Sequence, residues 1–157
     1  MATVELTFTA LPAHVRTARL VATAVARRSG VDESLLDEVR LAVGEACSRA
    51  VEGHQLYCPA EPVRLALTEL AGRFEVEVTD TCAPGRSSGG SGLAPDLAAA
   101  DPATADPAGG LTASAGAGVP AGLGIAVIEG LADDVQISET PAGTSIRMSW
   151  PLAGAGK

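Results

Sequence analysis

From Ala83 to Ala121 the chain is built almost wholly of Gly, Ala, Ser, Pro and Asp, with scarcely a large apolar side chain. A run of about 40 such residues is too long and too weakly hydrophobic for an ordinary connection, so it is read as a flexible low-complexity loop. The core must then be assembled from the segments on either side. With 46% apolar residues in 157, those segments suffice for one core, and residues 1–157 are read as a single domain.

Several function classes are disfavoured by composition. Aromatic residues make up 3% of the chain, and the formal net charge is -8, whereas a nucleic-acid surface needs clustered cations and stacking platforms. The N-terminus "MATVELTFTALP" lacks a basic start followed by an apolar run, and no stretch approaches the roughly 20 apolar residues of a membrane span. A cytoplasmic location is expected, with neither direct nucleic-acid binding nor a membrane. Cys47, Cys58 and Cys82 are odd in number and widely spaced, so they are read as reduced, buried thiols and not as a disulfide framework. Without a CxxC or HxxxH pair, a zinc site using His14 or His54 is not expected.

Periodicity orders the elements. "VELTFTA" alternates Val4, Leu6 and Phe8 with polar residues, as a half-buried strand does. Pro12 opens a helix that runs to Ser29 and stops at Gly30, with Leu11, Val15, Ala18, Ala22 and Val25 on its apolar face. Asp32 is read as the N-cap of a second helix carrying Leu36, Val39, Val43, Ala46 and Ala50 on one stripe. At 100° per residue, Glu38, Glu45, Arg49 and Glu52 gather within about 60° of one another, well round from that stripe. "PVRLALTEL" and "RFEVEVTD" form a hairpin through Ala71-Gly72. Beyond the low-complexity run come a glycine-opened helix burying Ile125, Ile128 and Leu131, then strands "DVQISE" and "TSIRMSW" joined through Pro141-Ala142-Gly143. The order β-α-α-β-β-loop-α-β-β predicts an α+β sandwich, a mixed or antiparallel sheet with its helices on one face.

That order, with "DEVRLAVGEAC" on the second helix, "VTD" closing a strand, "GLGIAVIEGLADDVQI" and "GTSIRMSW", resembles the anti-sigma-factor serine kinases of the GHKL (Bergerat-type) ATPase superfamily. The resemblance covers nearly the whole chain outside residues 83–121. It implies a bacterial switch protein that binds a sigma factor and a STAS-domain antagonist, and a homodimer where the family's habit holds.

The resemblance also implies residue roles. The family's second helix carries Glu-x-x-x-Asn-Ala, whose Glu serves as general base and whose Asn holds magnesium. Here Glu45 and Ala50 keep the frame, and Arg49 stands in the Asn position. A guanidinium offers only donors and a fixed positive charge, whereas magnesium takes oxygen ligands. Two readings of Arg49 stand side by side: a bidentate phosphate partner, or an i,i+4 partner of Glu45 worth about 0.3–0.5 kcal/mol if exposed.

The family's Asp-x-Gly-x-Gly corresponds to "DTCAP". Asp80, the implied adenine acceptor, is kept, but Cys82 and Pro84 replace the glycines, and Gly85 comes one residue late. Gly122 and Gly124 would offer helix N-terminal amides to phosphate, and Thr144 would support the adenine pocket. Ala18-Arg19 matches a partner-contacting pair of the first helix, with Arg16 a neighbouring candidate; His14 and Val15 stand where the family has Asn-Glu. The implied function is regulation by protein binding, with a degenerate nucleotide site, no metal and no cofactor. The alternative is an active serine kinase using ATP and magnesium to phosphorylate a STAS-domain antagonist.

Overall fold

A computed structural model describes residues 2–82, 121–141 and 143–154. The expected loop at 83–121 therefore lies outside the described residues except for Ala121, and Pro84 and Gly85 lie outside them too. Strand β1 (Ala2–Phe8) is followed by helices α1 (Pro12–Ser29) and α2 (Leu36–Tyr57), and by the hairpin β2 (Val63–Leu70) and β3 (Arg73–Asp80). Helix α3 (Ala121–Leu131) and the hairpin β4 (Asp134–Thr140) and β5 (Gly143–Pro151) complete the order. The sheet runs β1-β2-β3-β5-β4, and every neighbouring pair is antiparallel, which settles the choice between a mixed and an antiparallel sheet.

Local sequence explains the boundaries. Pro12 lacks the amide hydrogen that a first helical turn cannot use, and Gly30 ends α1 at φ 95°, its N–H donating back to Arg27. Asp32 does cap a helix, but a short 3₁₀ turn at Glu33–Leu35 precedes α2: its carboxylate accepts from the Ser34 amide, at 2.9 Å, and from the Ser34 hydroxyl, at 2.6 Å. Those two bonds hold the Asp32 carboxyl below its usual range.

Alternation then separates two sheet faces. Val63, Leu65 and Leu67 of β2, Phe74, Val76 and Val78 of β3, and Ile146, Met148 and Trp150 of β5 are buried together. Against them pack Val15, Ala18, Ala22 and Ala26 of α1, and Leu36, Val39, Val43, Ala46 and Ala50 of α2. Small residues on α1 let its backbone approach closely. Ile128 of α3 is fully buried, whereas Ile125 and Leu131 are half-buried; Leu11, expected on the buried face, is the exposed residue before Pro12. Trp150 Nε1 donates to the Leu131 carbonyl at 2.9 Å and so fastens the end of α3 to β5. On the opposite face, Arg147 bridges Glu75 and Glu77, each at 3.4 Å.

The cysteines overturn an expectation. Cys58 and Cys82 are joined by a disulfide across 24 residues of sequence, and only Cys47 is a free, buried thiol. An odd number of cysteines concealed one pair, because the partners meet only when the end of α2 packs on the end of β3. No helix among the described residues is long and apolar enough to cross a membrane.

Candidate functional site

Where α2, α3 and the ends of β3, β4 and β5 meet, they leave a cavity of about 160 Å³. Its lining includes Ala46, Arg49 and Ala50 from α2, Val78 and Asp80 from β3, Ile125 from α3, and Thr144 from β5. Three of the sequence-predicted residues, Arg49, Asp80 and Thr144, are thereby brought to one wall-and-floor arrangement. A second cavity of about 170 Å³ lies on the opposite face, around Glu5, Arg64, Glu77 and Thr79, and holds none of them.

Sheet register sets the floor. Asp80 pairs with Thr144 across β3 and β5, in phase with Val78 and Ile146, so both side chains face the helices. The two strands approach so closely here that a Cβ on Gly143 would run into the Asp80 carbonyl oxygen, and Gly143 itself has φ +143°. Glycine at this position is a requirement of the backbone.

Asp80 is held from behind. Its Oδ1 accepts the Cys82 amide at 2.6 Å and lies 2.8 Å from Nε2 of His54, which is wholly buried in the last turn of α2. Nδ1 of His54 lies 2.8 Å from the Glu61 carbonyl, which can only accept, so this nitrogen carries a hydrogen. The Thr81 amide nitrogen also lies 3.2 Å from Nε2, which can donate to Asp80 or accept from Thr81 but cannot do both. The Oδ2 atom sits 3.3 Å from where a Cβ on Gly53 would be, so α2 passes close by the carboxylate. A buried polar cluster of this kind is stable only when each member has a partner, and no buried side-chain nitrogen or oxygen among the described residues lacks one.

Beside the cavity, and not among its lining residues apart from Arg49, α2 and the start of α3 converge on Gly124. A Cβ there would collide with Glu45 Oε1 and lie 3.0 Å from a terminal guanidinium nitrogen of Arg49 and 3.2 Å from its Cδ. Glu45 and Arg49, one turn apart on α2, thus both reach the first turns of α3, and both are half-buried. Gly122 lies in the first turn of α3. The wall nearest these amides carries a guanidinium, a donor-only cation, at the place where the resemblance implies a magnesium ligand. At that position the side chain supplies no oxygen ligand for a magnesium ion. For the adenine end the fit is better: Asp80 supplies an acceptor at the cavity edge, with Thr144 beside it.

Arg16 and Arg19 lie elsewhere, on α1. Arg16 is exposed, but Arg19 is half-buried: its aliphatic stem crosses Gly44 of α2, where a Cβ would meet its Cδ at 2.5 Å. Its charge acts on Cys47. Burial pushes that thiol up to about 12, and the Arg19 guanidinium offsets the rise only in part.

Sequence reasoning missed the roles of His54, Cys58 and Gly143. His54 had one usable signal, since it continues the buried Cys47, Ala50, Val51 side of α2 at helical spacing.

Residues 8–150 match the family model described as the histidine kinase-like ATPase domain. Among solved structures, the chain is similar to the crystal structure of the RsbU and RsbW domains of Rv1364c from Mycobacterium tuberculosis, with a TM-score of 0.62 and 19% sequence identity. That likeness covers 97% of this chain and 33% of the other, so the chain spans about a third of that structure's length. A search of curated proteins gave no match.

Proposed function

The chain belongs to the histidine kinase-like ATPase domain family, and from that premise we propose that it is an anti-sigma-factor-like regulator that works by binding protein partners without phosphoryl transfer. Its partners on this reading are a sigma factor, a STAS-domain antagonist, or both, engaged through the Arg16 and Arg19 side of α1, in the cytoplasm and as a homodimer. The likeness to a solved structure that contains an RsbW domain is in keeping with this assignment. One observation carries it: Arg49 reaches the start of α3, against Gly124, beside Glu45. Phosphoryl transfer relies on metal to neutralise charge between the phosphates, and a guanidinium there supplies charge but no ligand.

The second reading, an active serine kinase, is favoured by Glu45 itself, a carboxylate kept beside the start of α3 at the position of the family's general base. Calorimetric titration of the purified chain with ATP and magnesium, beside an Arg49→Asn variant, separates the two. No heat from the native protein and binding regained in the variant are the expected results. Micromolar, metal-dependent binding by the native protein would overturn the proposal, and a STAS-domain serine would then be assayed as the phosphoryl acceptor.

A further inference from the structure

Two tethers join the same two segments. His54 and Cys58 lie one helical turn apart at the end of α2, and Asp80 and Cys82 lie two residues apart at the end of β3. The first tether is the 2.8 Å contact of His54 Nε2 with Asp80 Oδ1, and the second is the Cys58–Cys82 disulfide. They are coupled through one peptide group, since the Cys82 amide donates to that same Asp80 oxygen at 2.6 Å. Cys82 stands where the family resemblance implies a glycine, so a covalent link occupies a position otherwise given to backbone freedom.

We propose that the Cys58–Cys82 bond is a redox-controlled clamp that fixes the His54–Asp80 pair and so sets how Asp80 is offered to the cavity. Two thiols cannot occupy the space of one disulfide. Opening the bond obliges the two sulphurs to part, and in the clamp the Cys82 backbone moves with its sulphur, taking along the amide that Asp80 accepts from. The co-reactant is a dithiol: it gives two electrons and two protons to the bond, leaving two cysteine thiols and its own disulfide. Exchange proceeds through thiolate, and Cys47, buried and with its thiol pushed up to about 12, does not compete for either sulphur. The pair is consequently a closed two-state element. The clamp concerns this chain's own residues and holds whether or not a nucleotide enters the cavity.

The test uses the full chain, equilibrated in dithiothreitol buffers of graded potential. Free thiols are counted after denaturation, and the histidine ring signals are followed by nitrogen-detected NMR. Only His14 and His54 contribute, and His54→Gln assigns the second. The expected count rises from one thiol to three, while the His54 signals move to a second position with the same midpoint. The Trp150 indole signal, which reports the intact contact with Leu131, stays in place. A Cys58→Ser, Cys82→Ser double variant should show the reduced position without any reductant. Three results would each overturn the proposal: three thiols in the protein before reduction, His54 signals indifferent to reduction, or loss of the native Trp150 signal on reduction and in the double variant alike. The last would make the bond a folding staple.

Discussion

His54 Nε2 lies 2.8 Å from Asp80 Oδ1, with the imidazole wholly buried and the carboxylate at the edge of the cavity. The contact crosses from the last turn of α2 to the end of β3, so it couples the helix layer to the sheet where the cavity floor is formed. Replacing His54 by Leu keeps the bulk and leaves the Glu61 carbonyl and the Asp80 carboxylate without their ring partner. A loss of about 2–3 kcal/mol is expected, from unpaired buried groups and a weakened hold on the carboxylate. Urea unfolding followed by Trp150 fluorescence measures it. A double-mutant cycle with Asp80→Asn should give a coupling of at least ~0.5 kcal/mol, and strict additivity would count against a direct interaction.

Gly143 and Gly44 make opposite predictions for the same change to alanine. At Gly143 the new Cβ would strike the Asp80 carbonyl, at a φ of +143° that a side chain rarely adopts, and backbone cannot step aside cheaply. Destabilisation of roughly 3 kcal/mol or more, or failure to fold, is expected. At Gly44 the Cβ would strike the far stem of Arg19, a flexible side chain. Alanine gains up to about 1 kcal/mol of helix propensity over glycine, so Gly44→Ala should leave the melting temperature nearly unchanged while moving the Arg19 head group. A large drop at Gly44 would mean that the Arg19 stem is part of the packing and cannot be displaced.

Those two glycines also show what the sequence carried. The Gly30 stop of α1, the Ala71-Gly72 hairpin and the α2 stripe could be read because each depends on residues within one turn or one alternation. The requirement at Gly143 comes from a strand 63 residues away in sequence. The Cys58–Cys82 bond and the His54–Asp80 contact likewise join segments with no shared local pattern, so periodicity carried no sign of them. At the cavity, Arg49, Asp80 and Thr144 could be named from the family resemblance and are brought together, but the hold on Asp80 from behind belongs to the tertiary packing.

Arg147 supplies a contrast with the buried contacts. It bridges Glu75 and Glu77 on the open face of the sheet, with 46% of its side chain exposed, while Ser145 donates to Glu77 as well. Solvent screens such pairs, so Arg147→Ala should cost only about 0.5–1 kcal/mol, and less as salt is raised towards 1 M. Denaturation at two salt concentrations would show it. A salt-independent loss would point instead to packing by the arginine stem.

Cys47 predicts how stability responds to alkali. The folded protein holds this thiol protonated up to about 12, against an ordinary value of 9.0 in the unfolded chain. Between those two values the unfolded chain has released the proton and the folded chain still binds it, so raising the pH favours unfolding. The stability present below the unfolded value should therefore fall by about 1 kcal/mol per pH unit above pH 9. Cys47→Ala removes the titrating group, at the cost of a small cavity. Comparing the pH dependence of unfolding for the two proteins isolates the thiol's share, because every other group is common to both. A parallel pair of curves between pH 9 and 11 would show that Cys47 titrates in the folded protein as freely as in the unfolded one.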